Sequence, residues 1–150
     1  MLNSRTSRVH THALTSATVS PDGEHIVTAS EDCTACVWRL SDSYSPSVWL
    51  RRLGVSFAGV GGSPPGGHSG WVSSVEVSPD SQFVVTASHD RTARVWRLSD
   101  GECLLTLQGH TGKLHSAAVS PDGAYIVTAS EDKTARVWRL SNGEHLRTLK

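Results

Sequence analysis

Apolar residues in this chain come in short runs bounded by turn-forming clusters, and the pattern is written three times. Residues 119–140 read Val-Ser-Pro-Asp-Gly-Ala-Tyr-Ile-Val-Thr-Ala-Ser-Glu-Asp-Lys-Thr-Ala-Arg-Val-Trp-Arg-Leu, and almost the same string stands at 77–98 and 19–40. Each copy predicts four short antiparallel strands. The inner one covers 14–19, 72–77 and 114–119, and a Ser-Pro-Asp-Gly/Ser turn follows, where Pro presets φ and Asp can bond the backbone ahead. The second strand is Ile26–Ser30, Phe83–Ser88 and Tyr125–Ser130. Glu-Asp or His-Asp then turns tightly into Thr-Ala-Arg-Val-Trp-Arg-Leu, whose apolar, β-branched and aromatic content suits a buried sheet. Asp100-Gly101 and Asn142-Gly143 are hairpin signals leading to an outer strand. Pairs such as Val84-Val85 and Ile126-Val127 put apolar groups on both faces, as a sheet sandwiched between sheets requires.

The copies of Ser-Pro-Asp begin at Ser20, Ser78 and Ser120, 58 and 42 residues apart, and 78–108 matches 120–150 without a gap at 21 of 31 positions. A period of about 40–45 residues with Gly-His ahead and Trp behind is the mark of propeller blades. Gly109-His110, Ser120-Pro121-Asp122-Gly123, Asp132 and Trp138 resemble the landmarks of the WD40-repeat family, and Gly67-His68, Asp90 and Trp96 repeat them. The first copy is worn, with Val9-His10 in place of Gly-His, and Arg39, Arg97 and Arg139 follow each Trp where the family has Asp. The resemblance implies an all-β fold, a partial WD40-type β-propeller of three four-stranded antiparallel blades that one chain does not close.

The expected organisation is a tail or weak outer strand at 1–9, repeats at 10–53, 67–108 and 109–150, and a Gly/Pro-rich insertion at 54–66. Leu50–Leu53 aligns with Leu146–Leu149 as the outer strand of the first repeat. The loop before it then gains four residues and the loop after it gains twelve, a segment rich enough in Gly and Pro to be expected mobile.

Hydroxyl, imidazole and carboxylate recur together in the sets His10, Thr28, Asp32, Trp38; His68, Thr86, Asp90, Trp96; and His110, Thr128, Asp132, Trp138. The residue types invite a nucleophile–His–Asp reading. Repetition argues for structure, because an active site is built once and a structural device once per blade. The family resemblance implies a hydrogen-bonded chain from indole N–H to threonine, histidine and aspartate in each blade, and no catalytic residues are expected. Cys33-Thr-Ala-Cys36 has CxxC spacing, but alternation sends i and i+3 of a strand to opposite faces, so no metal and no cofactor are expected.

In the resembled family the top face is read at the third and fifth residues after the Gly-His histidine and at the residue before the turn aspartate. These positions are Ala13, Thr15 and Glu31, then Trp71, Ser73 and His89, then Lys113, His115 and Glu131. They vary while the scaffold is nearly constant, which makes Trp71, His89, Lys113, His115, Glu131 and Glu31 the candidates for holding a protein or peptide. Trp71 leads them, since an indole at an exposed rim is the kind of anchor that dominates interfaces.

Composition narrows the partner. The 14 basic and 14 acidic side chains balance, which argues against nucleic acid or an anionic membrane as the target. No apolar run approaches the roughly 18 residues of a membrane span. Three cysteines that do not recur between copies fit a reducing compartment, so a cytoplasmic setting is expected. Propellers have about 4–8 blades, and an open arc of three leaves two apolar faces bare. The expectation is therefore a non-catalytic protein-interaction scaffold forming a section of a longer WD40 array, with closure by self-association as the other route to covered faces. A small-ligand or enzymatic role in the central channel, or a degenerate fragment without independent function, is the alternative.

Overall fold

The computed structural model describes residues 10–40, 50–56 and 67–150. The tail at 1–9 and residues 57–66 of the expected insertion lie outside the described residues. Those described form twelve strands and no helix: β1 (Leu14–Val19), β2 (His25–Ser30), β3 (Ala35–Leu40), β4 (Leu50–Ser56), β5 (Val72–Val77), β6 (Phe83–Ser88), β7 (Ala93–Arg97), β8 (Cys103–Leu107), β9 (Leu114–Val119), β10 (Tyr125–Ser130), β11 (Ala135–Arg139) and β12 (His145–Leu149). Consecutive strands pair antiparallel into three four-stranded sheets, which are blades one, two and three. The blades stand side by side through β1, β5 and β9, and the arc does not close.

Strand alternation explains the packing. Neighbouring residues of a strand point to opposite faces, so Val84 and Val85 serve two different apolar layers. One layer joins Val27, Ala29, Ala35 and Val37 on the back of blade one to Val72, Val75, Val77, Val84, Trp96 and Leu98 on the front of blade two. The other joins Val85, Ala87, Ala93, Val95 and Leu107 on the back of blade two to Leu114, Ala117, Val119, Ile126, Trp138 and Leu140 on the front of blade three.

A bulge near the start of each inner strand adds a polar clip to these layers. Register shifts leave Thr15, Ser73 and His115 as the extra residue opposite the paired partner strand. A bulge re-aims the side chain it carries. Thr15 Oγ1 donates to the carbonyl of Val72, and Ser73 Oγ donates to the carbonyl of Leu114 at 2.7 Å. Each clip therefore ties one blade's inner strand to the first residue of the next.

The outer strand of blade one departs from the expected alignment. Leu40 pairs with Leu50, Arg39 with Arg51, Trp38 with Arg52 and Cys36 with Ser56, so β4 runs into the segment assigned to the insertion. In blade three the corresponding pairs are Trp138 with His145 and Arg136 with Thr148. Register follows the connection between strands. The longer connection after Leu40 lets pairing begin there, and an irregularity between Cys36 and Trp38 absorbs the offset.

Candidate functional site

Each blade draws one residue of its recurring set from a different element: the histidine ahead of the inner strand, the threonine from the second strand, the aspartate from the turn and the tryptophan from the third strand. The indole N–H of Trp38, Trp96 and Trp138 donates to Thr28, Thr86 and Thr128 Oγ1 at 3.0, 2.8 and 2.9 Å. The same oxygens lie 2.9, 2.7 and 2.8 Å from Nε2 of His10, His68 and His110. Nδ1 of these histidines lies 3.1, 2.7 and 2.7 Å from Oδ2 of Asp32, Asp90 and Asp132. An indole can only donate, so the hydroxyl accepts from it and directs its own hydrogen to Nε2. The network thus assigns the histidine hydrogen to Nδ1, where it is donated to the aspartate.

Two further residues per blade join the chain without having been singled out from the sequence. Thr34, Thr92 and Thr134 donate from Oγ1 to the turn aspartate's Oδ1 at 2.5, 2.7 and 2.6 Å, and their amides donate to it at 3.0, 2.9 and 2.9 Å. Ser30, Ser88 and Ser130 accept the aspartate's own amide at 3.1 Å in every blade. The signal was present as Ser-x-Asp-x-Thr at 30–34, 88–92 and 130–134. These bonds hold a strained turn, for Cys33, Arg91 and Lys133 sit at φ 68°, 72° and 66° without being glycine.

Burial works against the charge of Asp90, but hydrogen bonds from His68 and Thr92 outweigh it and hold the carboxyl far below its ordinary value. Burial likewise opposes the charge of Asp132, and Thr134, His110 and the Thr111 amide overcome it. Asp32 is lowered in the same manner by Thr34, the Thr11 amide and His10. Thr86 and Thr128 are fully buried, and each hydroxyl is occupied by an indole and an imidazole. A hydroxyl so placed has no approach for a carbonyl or phosphoryl group, so the geometry is that of a fastening between strands.

The fastening of blade one is the loosest of the three at its His–Asp bond. A Cβ on Gly70 would lie 2.7 Å from the Asp90 amide nitrogen, and one on Gly112 would lie 2.7 Å from that of Asp132. The first copy has His12 at this position. A real Cβ there obliges the loop to stand off from its turn. A second exchange is paired: a Cβ on Gly109 would meet the Arg136 guanidinium at 2.2 Å, and the first copy carries Val9 and Cys36 in place of that glycine and arginine.

The rim that carries the aspartate turns holds the partner-binding candidates. Trp71 is 47% exposed. Its ring stacks on His89 with centroids 5.4 Å apart, and His89 meets His115 edge-on at 6.2 Å. Backbone bonds set this arrangement, since the His89 amide donates to the Trp71 carbonyl and the Glu131 amide to the Lys113 carbonyl, both at 2.9 Å. In blade one the Glu31 amide donates to the Ala13 carbonyl at 3.0 Å. A groove of about 360 Å³ is lined by Cys33 of blade one, Ser69, Gly70, Trp71 and His89 of blade two, and Lys113 of blade three. Partial burial, then the charges of Lys113 and His115, lower the His89 pKa, while Glu131 and Glu31 pull the other way. Thr15 and Ser73, also in the variable set, are taken up by the clips between blades.

Cys33 and Cys36 do not act together. Cys33 sits in the turn at φ 68°, whereas Cys36 is buried in β3, and neither is in a disulfide. Burial, then the charges of Asp32 and Asp90, raise the Cys33 pKa, the opposite of what a thiolate ligand or nucleophile needs.

Three matches to the WD domain, G-beta repeat family fall at residues 3–39, 65–97 and 101–139, one for each blade. The chain belongs to the WD40 family. It is 31% identical over 97 residues to eukaryotic translation initiation factor 3 subunit I of Pyricularia oryzae, which covers 65% of this WD40 chain and 24% of that protein. It is 35% identical over 95 residues to small ribosomal subunit protein RACK1 of Dictyostelium discoideum, covering 61% of this chain and 25% of that one. The WD40 chain thus spans about a quarter of the length of these relatives. The solved structure of U3-55K superposes with a TM-score of 0.81 at 23% identity, over 95% of this chain and 40% of that one, a likeness of fold.

Proposed function

We propose that this WD40 chain is a non-catalytic interaction module that holds a protein or peptide on the rim carrying the aspartate turns. Trp71 is the anchor, and His89, Lys113, His115, Glu31 and Glu131 surround it. The observation that carries this reading is the exposed Trp71 indole stacked on His89 at the mouth of the groove. A large rigid ring already held in place loses little freedom on binding, which is what makes such residues interface anchors. The charges around it are mixed in sign, which suits a polypeptide better than a phosphate backbone. The family supports the class of function, since WD40 proteins serve generally as non-catalytic scaffolds. Relatives named as a subunit of an initiation factor and as a ribosomal subunit protein agree with a role inside an assembly.

The test compares Trp71→Ala with the unaltered chain, both shown folded by circular dichroism, in quantitative capture of partners from a lysate. Loss of an anchor worth about 2 kcal/mol weakens capture roughly 30-fold. Equal capture of the same proteins by both chains overturns the assignment.

A further inference from the structure

The two outermost faces of the arc are the uncovered counterparts of faces that already mate within it. On the back of blade three stand Val127, Ala129, Ala135, Val137 and Leu149. They are the same residues, position for position, as Val85, Ala87, Ala93, Val95 and Leu107 on the covered back of blade two. On the front of blade one stand Leu14, Ala17, Val19, Ile26 and Trp38. They repeat Leu114, Ala117, Val119, Ile126 and Trp138, the front of blade three that packs against the back of blade two. The front of blade two is different, with Val72, Val75, Val77 and Val84 at the corresponding places. Both free faces are exposed: Val127 at 38% on one, and Leu14 and Val19 at 59% and 57% on the other.

We propose that the back of blade three docks on the front of blade one of a second copy of this chain. The new contact reproduces the interface between blades two and three residue for residue at these positions. Because the two faces differ, the contact is heterologous, and such contacts make rings when the rotation closes. Two copies use it twice and give a ring of six blades, three from each, within the range of about 4–8 that propellers adopt. Closure covers both of these apolar faces, which is the physical drive for it. The bulge residue of blade three marks the same joint. Thr15 and Ser73 donate across their joints to Val72 and Leu114, and His115 occupies the equivalent bulge, with Leu14 of the second copy as the equivalent acceptor. This inference rests on the blade faces and shares only His115 with the rim.

The experiment is the solution mass of the 150-residue chain by analytical ultracentrifugation, alone and with Val127→Glu and Leu14→Glu. The unaltered chain is expected at the mass of two copies. Each single variant shifts to the mass of one copy while keeping its near-ultraviolet tryptophan signal, since both sites are exposed in the lone chain. A one-to-one mixture of the two variants restores a two-copy species, weaker than the original, because each supplies the face that the other lacks. A two-copy mass that neither variant alters overturns the proposal, as does an unaltered chain that stays at one copy at its highest soluble concentration. Single variants that fail to pair on mixing also overturn it. Should either glutamate variant lose its tryptophan signal, Val127→Thr and Leu14→Thr replace the pair, with the same masses expected and the same results overturning the proposal.

Discussion

Strands β6 and β10 carry nearly one sequence, Phe-Val-Val-Thr-Ala-Ser and Tyr-Ile-Val-Thr-Ala-Ser, yet they live in different surroundings. Val85 is 0% exposed and Val127 is 38% exposed, although each follows the same alternation and sits in the same sheet position. Ala87 is buried and Ala129 is not. The difference is the blade behind: blade two has one and blade three has none among the described residues. A strand's pattern states which residues can be buried, while the neighbour decides whether they are. The fastenings show the converse. The hydrogen-bonded chain of blade three matches that of blade two within 0.1 Å at each link, because every partner comes from its own blade.

The largest expected effect comes from the indoles. Trp96 is buried between blades one and two, whereas Trp38 occupies the open front of blade one and is half-buried. Trp96→Ala is expected to cost about 3–5 kcal/mol, and Trp38→Ala distinctly less, read from urea unfolding followed by circular dichroism. Equal costs would break the link between burial and neighbour. Both measurements belong in the Leu14→Glu background, where the front of blade one stays uncovered.

Next come the turn aspartates, which serve the local network in every blade. Asp90 and Asp132 have folded pKa values depressed below the ordinary 3.8, and Asp32 is lowered as well. A depressed carboxylate adds stability that is complete above the unfolded value and is lost as the pH falls from there through the folded value. The urea midpoint should therefore drop steeply below about pH 4. Asp90→Asn should flatten that fall and cost roughly 1.5–3 kcal/mol at neutral pH. Asp132→Asn should match it, although blade three has an open back. A clear difference between the two would mean that the fastening depends on the neighbouring blade after all.

The smallest effect isolates the face itself. In the Leu14→Glu background, Val85→Ala is expected to cost about 2 kcal/mol and Val127→Ala less than about 0.5 kcal/mol, by the same unfolding measurement. Without that background the cost of Val127→Ala should rise and depend on protein concentration, since the valine is then covered in the two-copy ring.

Much of the fold was legible because its signals are local and repeated. Ser-Pro-Asp turns, alternating valines and the His, Thr, Asp and Trp sets each specify contacts inside one blade, and three copies average out the wear of the first. The outer strand of blade one was not legible, because register there depends on how a long connection closes, and Ser56 rather than Arg52 meets Cys36. Among the variable positions, sequence put Trp71 ahead of Thr15 and Ser73 but did not show what those two do. A bulge turns the first two into the joint between blades and leaves Trp71 at the rim.

The sequence by itself determined the blades: their number, their strand order and the fastening within each, since those depend on neighbours a few dozen residues apart at most. The tertiary structure alone decided which apolar faces are covered, which variable residues are taken up between blades, and that Trp71 lies on His89. Those outcomes depend on how one blade stacks on the next, and burial belongs to a pair of surfaces, never to one strand.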